Sequence, residues 1–192
     1  KDDTIIIKVN CQWSQRGGTN TDLVKSLIKK IVNHPEGFTG EIVVADNGQG
    51  WGSLDWTWAN AFNQSQSMQD VVNTFPSYKV STWLWDTIRS KNVNEYDQGD
   101  LSNGYVVNST ANPITALRVS YPKFKTKYGT YISFKNGIWN GSSYSSEKLK
   151  VINVPVLKSH GLYAVTACVK HYMGVVSNDL TSAHSHVGTG GM

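Results

Sequence analysis

The chain has 192 residues, 39% of them hydrophobic and 11% aromatic, which suits one well-buried domain and is too short for two comfortable ones. A net charge of +4 is too mild to indicate nucleic acid as a partner, and no RNA- or DNA-binding motif accompanies it. No apolar run reaches the roughly 20 residues that a membrane-spanning helix needs.

Thr4 to Val9 (TIIIKV) is a β-branched run suited to a buried strand. It begins almost at once after Lys1, and the last residues, 188-GTGGM-192, form a glycine-rich turn; both ends read as those of a processed or partial piece of a longer polypeptide. The polar stretch 10-NCQWSQRGGTNT-21 follows, with Asn20 or Thr21 placed to cap a helix. From Asp22 the apolar residues Leu23, Val24, Leu27, Ile28, Ile31 and Val32 recur at intervals of three and four, which predicts a helix over 22–33 that Pro35 and Gly37 stop. The string 41-EIVVADNG-48 is a second strand, and strand–helix–strand with short connections makes a parallel crossover the default.

Ser67 to Phe75 and Ser81 to Lys91 each read as a short helix with its serine as cap. Residues 118–145 hold three short β-prone runs, and Asn136-Gly137 is a strong hairpin signal that predicts an antiparallel hairpin within Tyr121 to Trp139. Lys148 to Leu157 returns to strand chemistry, with Pro155 marking an edge or an end. Beyond it Ala164, Val165, Cys168, Val169, Tyr172 and Met173 form an apolar stripe that predicts a helix over 162–173 with Gly174 as its cap. The fold expected is therefore α/β: residues 1–192 as one domain with a mostly parallel, Rossmann-like sheet of strands 4–9, 41–46 and 150–156. Helices pack on that sheet, and 48–146 is an inserted segment with short helices and a β-meander.

That insert holds six of the seven tryptophans, and with the sequons at Asn63, Asn108 and Asn140 it leans towards a secreted or cell-surface protein. Charge divides along the chain as well. Residues 41–103 hold eight acids against three bases, and 118–150 seven bases against one acid, so the two segments are placed to attract each other.

Ligands of an open α/β sheet gather outside the carboxyl ends of its strands. Three polar loops converge there if the strands are parallel neighbours: Asn10 to Thr19, Asp46-Asn47-Gly48, and Lys158-Ser159-His160-Gly161. Lys158 and His160, beside the unpaired amides of a helix opening near Gly161, suit a carboxylate or phosphate. Thr166 and Lys170, one and two turns along, would line the same cleft, with Asn10, Thr19 and Asp46 facing them. Lys158 and His160 are the candidates for chemistry, with His160 as general acid/base. His171, His184 and His186 form a second cluster that His160 could join around a divalent metal, but no Asp or Glu completes a known metal signature. Cys11 follows the first strand and Cys168 sits on the apolar stripe of the last helix, so they are expected not to be bonded to each other.

The string 151-VINVPVLKSHGLYAVTACVKHYMG-174 resembles the signature of the domain of unknown function 362 family. That signature has a strand, then Pro-x-Leu-Lys-x-His, then a threonine-containing helix ending in Lys-His, an aromatic and glycine. The opening 5-IIIKVNCQWSQRGGTNTDLVKSLI-28, with Lys8-x-Asn10 and a threonine before a helix, is similar to the family's start, and the strand ending at Asp46 to a third element. The resemblance covers both ends of the chain and implies an α/β fold without an established activity. Some relatives carry cysteine clusters for iron–sulfur centres; two cysteines cannot build one alone. A looser likeness to the nickel-pincer lactate racemase group is an analogy of fold, which delivers no function.

Two functions compete. One is an enzyme or cofactor-binding domain for an anionic small molecule or metal at the three-loop edge. The other is a non-catalytic secreted or surface module that assembles, as a homo-oligomer or in a larger complex, through the Trp-rich segment. A polar pocket around His160 favours the first, and contiguous exposed tryptophans favour the second.

Overall fold

The computed structural model describes residues 1–12, 17–48, 50, 52–160 and 164–181, with backbone alone at 169 and 170. In chain order its elements are β1 (Thr4–Lys8), α1 (Thr21–Val32), β2 (Glu41–Asp46), α2 (Met68–Asn73) and β3 (Lys79–Leu84). Then come β4 (Gly104–Val107), β5 (Ser120–Lys125), β6 (Tyr131–Ser133), β7 (Gly137–Trp139) and β8 (Tyr144–Ser145). The chain continues with β9 (Leu149–Asn153), β10 (Lys158–His160), β11 (Ala164–Thr166) and α3 (Cys168–His171), and short 3-10 turns join several of these elements.

Strands β3, β2, β1 and β9 form one parallel sheet in that order. Its central strands are β-branched because both faces are covered, and successive side chains point to opposite layers. Ile7, Ile42, Val44 and Val80 pack with Val24 and Ile28 of α1 and Met68 and Val71 of α2. Ile6, Val43 and Ala45 point the other way, onto Trp85, Tyr105, Phe124 and Ile132. The second layer is the antiparallel sheet β4-β5-β6-β7-β8. The fold is thus a helical layer, a four-stranded parallel sheet and an antiparallel meander, in that order.

Local chemistry sets the helix starts. The Asn20 side chain accepts from the Leu23 amide at 3.0 Å, and Lys29 and Lys30 lie in the last turn of α1, where the dipole favours cations. At α2, Ser67 and Asp70 form a reciprocal capping box.

Four expectations need correction. Residues 81–84 continue strand β3 and are followed by a 3-10 turn over Trp85–Ile88, where the sequence predicts a helix. Trp83 stacks on Phe124 at 4.4 Å and Trp85 meets Phe134 edge-on at 5.4 Å, so contacts with the meander override a helix-like spacing. The hairpin of β6 and β7 exists, but Ser133 pairs with Gly137, so its loop is Phe134-Lys135-Asn136. The Ser133 hydroxyl accepts from the amides of Lys135 and Asn136, and only Gly137 has positive φ, at 103°. The third parallel strand ends at Asn153, before Val154 and Pro155.

The predicted helix over 162–173 is the largest error. Lys158–His160 and Ala164–Thr166 form an antiparallel hairpin, and α3 covers only Cys168–His171. Val165 and Cys168, taken for a buried stripe, are exposed. The helix start expected near Gly161 lies at Cys168 instead, and residues 161–163 are outside the described ones. Between the basic and acidic segments one ion pair forms among the described residues: buried Lys123 lies 3.9 Å from an Asp100 carboxylate oxygen.

Candidate functional site

The strand order places β2 and β3 on one side of β1 and β9 on the other. The connections therefore diverge at the carboxyl ends of β1 and β9, the position where an open sheet leaves a crevice. Register brings Lys8 level with Ala45 and Asn153, so Lys8, Asp46 and Asn153 all stand at that edge.

Lys8 is almost fully buried there, and its ammonium has three donors to place. One goes to the Val9 carbonyl at 2.7 Å and one to Asp46 Oδ1 at 2.6 Å, and Nζ lies 3.0 Å from His171 Nε2. Asp46 Oδ2 accepts from the Cys11 amide at 2.5 Å. His171 Nε2 also lies 2.7 Å from the Val9 carbonyl and Nδ1 lies beside Asn153 Oδ1, while Asn153 Nδ2 donates to the Cys168 carbonyl at 3.2 Å. Burial first, and the Lys8 charge second, push the His171 pKa down from 6.5 to about 4, so the ring is neutral at pH 7. Every polar atom of this cluster has a use within the protein.

Lys158 is different. It is half-buried, and its Nζ donates to the Gly17 carbonyl at 2.8 Å and lies 3.5 Å from Asn10 Oδ1, both neutral acceptors. Among the described residues no carboxylate lies within ion-pair distance of it. Burial lowers its pKa, partly offset by Asp46 and Cys11. Thr166 is the cross-strand partner of Lys158, and His160 is two residues on, so all three share one face of the hairpin. The Thr166 hydroxyl is buried and has no hydrogen-bond partner among the described residues.

Of the other candidates, Thr19 accepts from the Asn10 amide at 2.7 Å and donates to the Val154 carbonyl at 3.1 Å, which ties the loop after β1 to the end of β9. The Lys170 side chain, His184 and His186 lie outside the described residues. Among the described residues no group of three His, Cys, Asp or Glu is arranged to hold a metal. His171, a candidate metal ligand from sequence, is bonded through both ring nitrogens within the protein.

Sequence reasoning missed Lys8, Asn153 and Asp86. A signal for Lys8 was present: a lone cation in a strand of β-branched residues must find a partner when both faces are covered. Asp86, just beyond the end of β3, accepts from the Gly50 amide at 3.2 Å, and burial raises its pKa.

Residues 143–190 match the family described as Domain of unknown function (DUF362). The match covers 48 of the 192 residues. That segment supplies β9, the β10–β11 hairpin and α3, and with them Asn153, Lys158, Thr166 and His171, four of the groups that crowd the carboxyl edge. No curated protein and no solved structure matches the chain. No helix among the described residues is long and apolar enough to cross a membrane.

Proposed function

We propose that this chain is a Rossmann-like anion-binding domain that takes a small carboxylate or phosphate in the crevice between the carboxyl ends of β1 and β9. One observation carries the reading: Lys158 is a half-buried cation at that crevice, held by neutral acceptors with no carboxylate in ion-pair distance among the described residues. Asp46, the nearest acid in the local electrostatics, already serves Lys8 and the Cys11 amide. A buried charge of this kind is stabilised by an incoming opposite charge. Thr166, buried with an unused hydroxyl on the same face, is the second donor, and His160 is the proton-transfer group should the ligand be turned over.

Calorimetric titration with inorganic phosphate, acetate and citrate tests the reading. Saturable binding of one of them is expected, weakened about tenfold or more in Lys158→Met and less in Thr166→Val. Absence of binding by all three, or binding indifferent to Lys158→Met, overturns it.

A second reading, a secreted or surface module assembling through the Trp-rich segment, draws on Trp58 and Phe62, which are 70% and 82% exposed between β2 and α2. Against it, Trp85 is buried, and Trp56, Trp83 and Trp139 are partly so, which leaves Trp58 as the one exposed tryptophan among those described.

A further inference from the structure

The outer face of the meander carries a site that the Lys158 crevice does not use. Lys125 pairs with Tyr131, Tyr131 with Trp139 and Trp139 with Tyr144. Cross-strand partners share a face, so these four side chains form a row across β5 to β8. Their chain neighbours Phe124, Ile132 and Ile138 belong to the core on the other face. At about 4.8 Å per strand, the aromatic part of the row is roughly 10 Å long.

The row is rigidly supported. The Tyr96 ring meets Tyr131 edge-on at 5.3 Å and lies nearly parallel to Trp139 at 6.4 Å, and Tyr144 packs against Trp139 at 4.8 Å. Beneath it Lys123, fully buried, places its ammonium 4.2 Å from the Tyr96 ring centroid and donates to the Asp100 carbonyl. Above it the Lys125 ammonium sits 4.8 Å from the centre of the Tyr131 ring.

In front of these rings lies a cavity of about 560 Å³, lined by Tyr96, Leu101, Tyr131 and Trp139, within the usual range for small-molecule sites. Gly99 and Gly141 stand at its rim with φ of 82° and 103°, and open space lies where a side chain would be, so the mouth is wide and its backbone accessible. No lining side chain is charged. The flanks carry both signs: Lys125 on one side, and Asp97 and Asp100 on the segment that supplies Tyr96 and Gly99.

We propose that this face binds a neutral oligosaccharide, with two or three sugar rings laid along Tyr131 and Trp139. A pyranose ring presents apolar C–H faces and a hydroxyl-bearing edge. The first suits the ring faces of the aromatic row, and the second suits the Lys125 ammonium, the Tyr131 hydroxyl and the rim backbone. Nucleic-acid bases could stack on the same rings, but a phosphate chain would meet Asp97 and Asp100 with one flanking lysine to offset them.

The test is calorimetric titration of the whole chain with cellotetraose, maltotetraose and chitotriose, with a dodecameric oligothymidylate and a decaproline peptide as the competing chemistries. Heteronuclear NMR follows the indole signals of the seven tryptophans, that of Trp139 being identified by its loss in Trp139→Phe. At least one sugar should bind saturably and shift the Trp139 signal, with affinity down about tenfold or more in Trp139→Ala. Trp139 also packs on Tyr96, so a second variant avoids the floor. Leu101→Arg, at a position 57% exposed on the cavity wall, should abolish the sugar signal with an unchanged thermal midpoint. Silence of the Trp139 signal towards all three sugars, a response only to the oligonucleotide or the peptide, or sugar binding that survives both variants would overturn the proposal.

Discussion

Lys8 Nζ and Asp46 Oδ1 lie 2.6 Å apart with their side chains 1% and 4% exposed, joining the ends of β1 and β2 inside the protein. The ammonium donates to Val9 and Asp46 and lies 3.0 Å from His171 Nε2, and both Asp46 oxygens accept, so the pair is complete without a ligand. Removing one member strands the other in a low-dielectric site. Lys8→Met should therefore lower stability by about 3 to 5 kcal/mol, read from urea denaturation. The double variant Lys8→Met/Asp46→Leu should lose clearly less than the sum of the two single variants, because no unpaired charge remains. A Lys8→Met protein as stable as the parent would refute the assignment.

His171 gives stability a pH dependence. Its pKa falls from 6.5 in the unfolded chain to about 4 in the fold, so between these values the unfolded state binds more protons. Stability from this group is fully present above about pH 6.5 and is lost as pH falls through about 4. The loss is on the order of 2 kcal/mol after allowance for solvent screening. Denaturation midpoints at pH 7, 5.5 and 4.5 should fall in that order, and His171→Gln should flatten the trend.

How far the sequence reveals this architecture depends on where the deciding contacts lie. Strands β1 and β2 and helix α1 are legible because burial on both faces, or on one stripe, is written in the spacing of Ile5, Ile6 and Ile7 or of Val24, Ile28 and Val32. Strand β3 is not, because Trp83 and Trp85 owe their positions to Phe124 and Phe134, some forty to fifty residues away. The segment after Pro155 fails for a related reason. Its apolar stripe has the period of a helix, but Val165 and Tyr172 are about half exposed and Thr166 is turned in beside Lys158. At the site, Lys158 and its loop partner Asn10 were visible as polar groups at strand ends. Lys8 was visible as a lone cation in a β-branched strand, but its position concealed that it ends at the same edge as Asp46.

Gly174 closes over the Lys8–Asp46 pair. A Cβ there would stand 3.0 Å from Lys8 Nζ, 3.2 Å from Lys8 Cε and 3.3 Å from Asp46 Oδ1. Lys8 has little freedom to yield, being held between Val9, Asp46 and His171. Gly174→Ala should cost about 1 to 3 kcal/mol, the range of overpacking in a dense interior, seen as a lower thermal midpoint.

The thiols should separate cleanly in a labelling experiment. Cys168 is exposed and Cys11 buried, and neither is in a disulfide. Burial, reinforced by Asp46, pushes the Cys11 thiol well above its ordinary pKa, which withholds the reactive thiolate. Native protein treated with an aromatic disulfide reagent at pH 8 should release one equivalent quickly and the second only on adding denaturant. Two equivalents from the native protein, or none before reduction, would show that the burial or the redox state is otherwise.

Lys158 should behave in the opposite way to Lys8, although both lie at the same edge. Burial holds the Lys158 amine below its ordinary pKa, so the fold disfavours its charged form. The groups it touches, the Gly17 carbonyl and the Asn10 side chain, are neutral, and losing one lysine donor leaves neither with an exposed charge. Lys158→Met keeps the length of the side chain and removes the desolvated ammonium. Its stability should stay within about 0.5 kcal/mol of the parent or rise above it, measured by the same urea denaturation as Lys8→Met. In buffer containing phosphate the order should reverse, because only the parent would gain from the bound anion. A cation retained for the integrity of the hairpin would instead lower stability in both buffers alike.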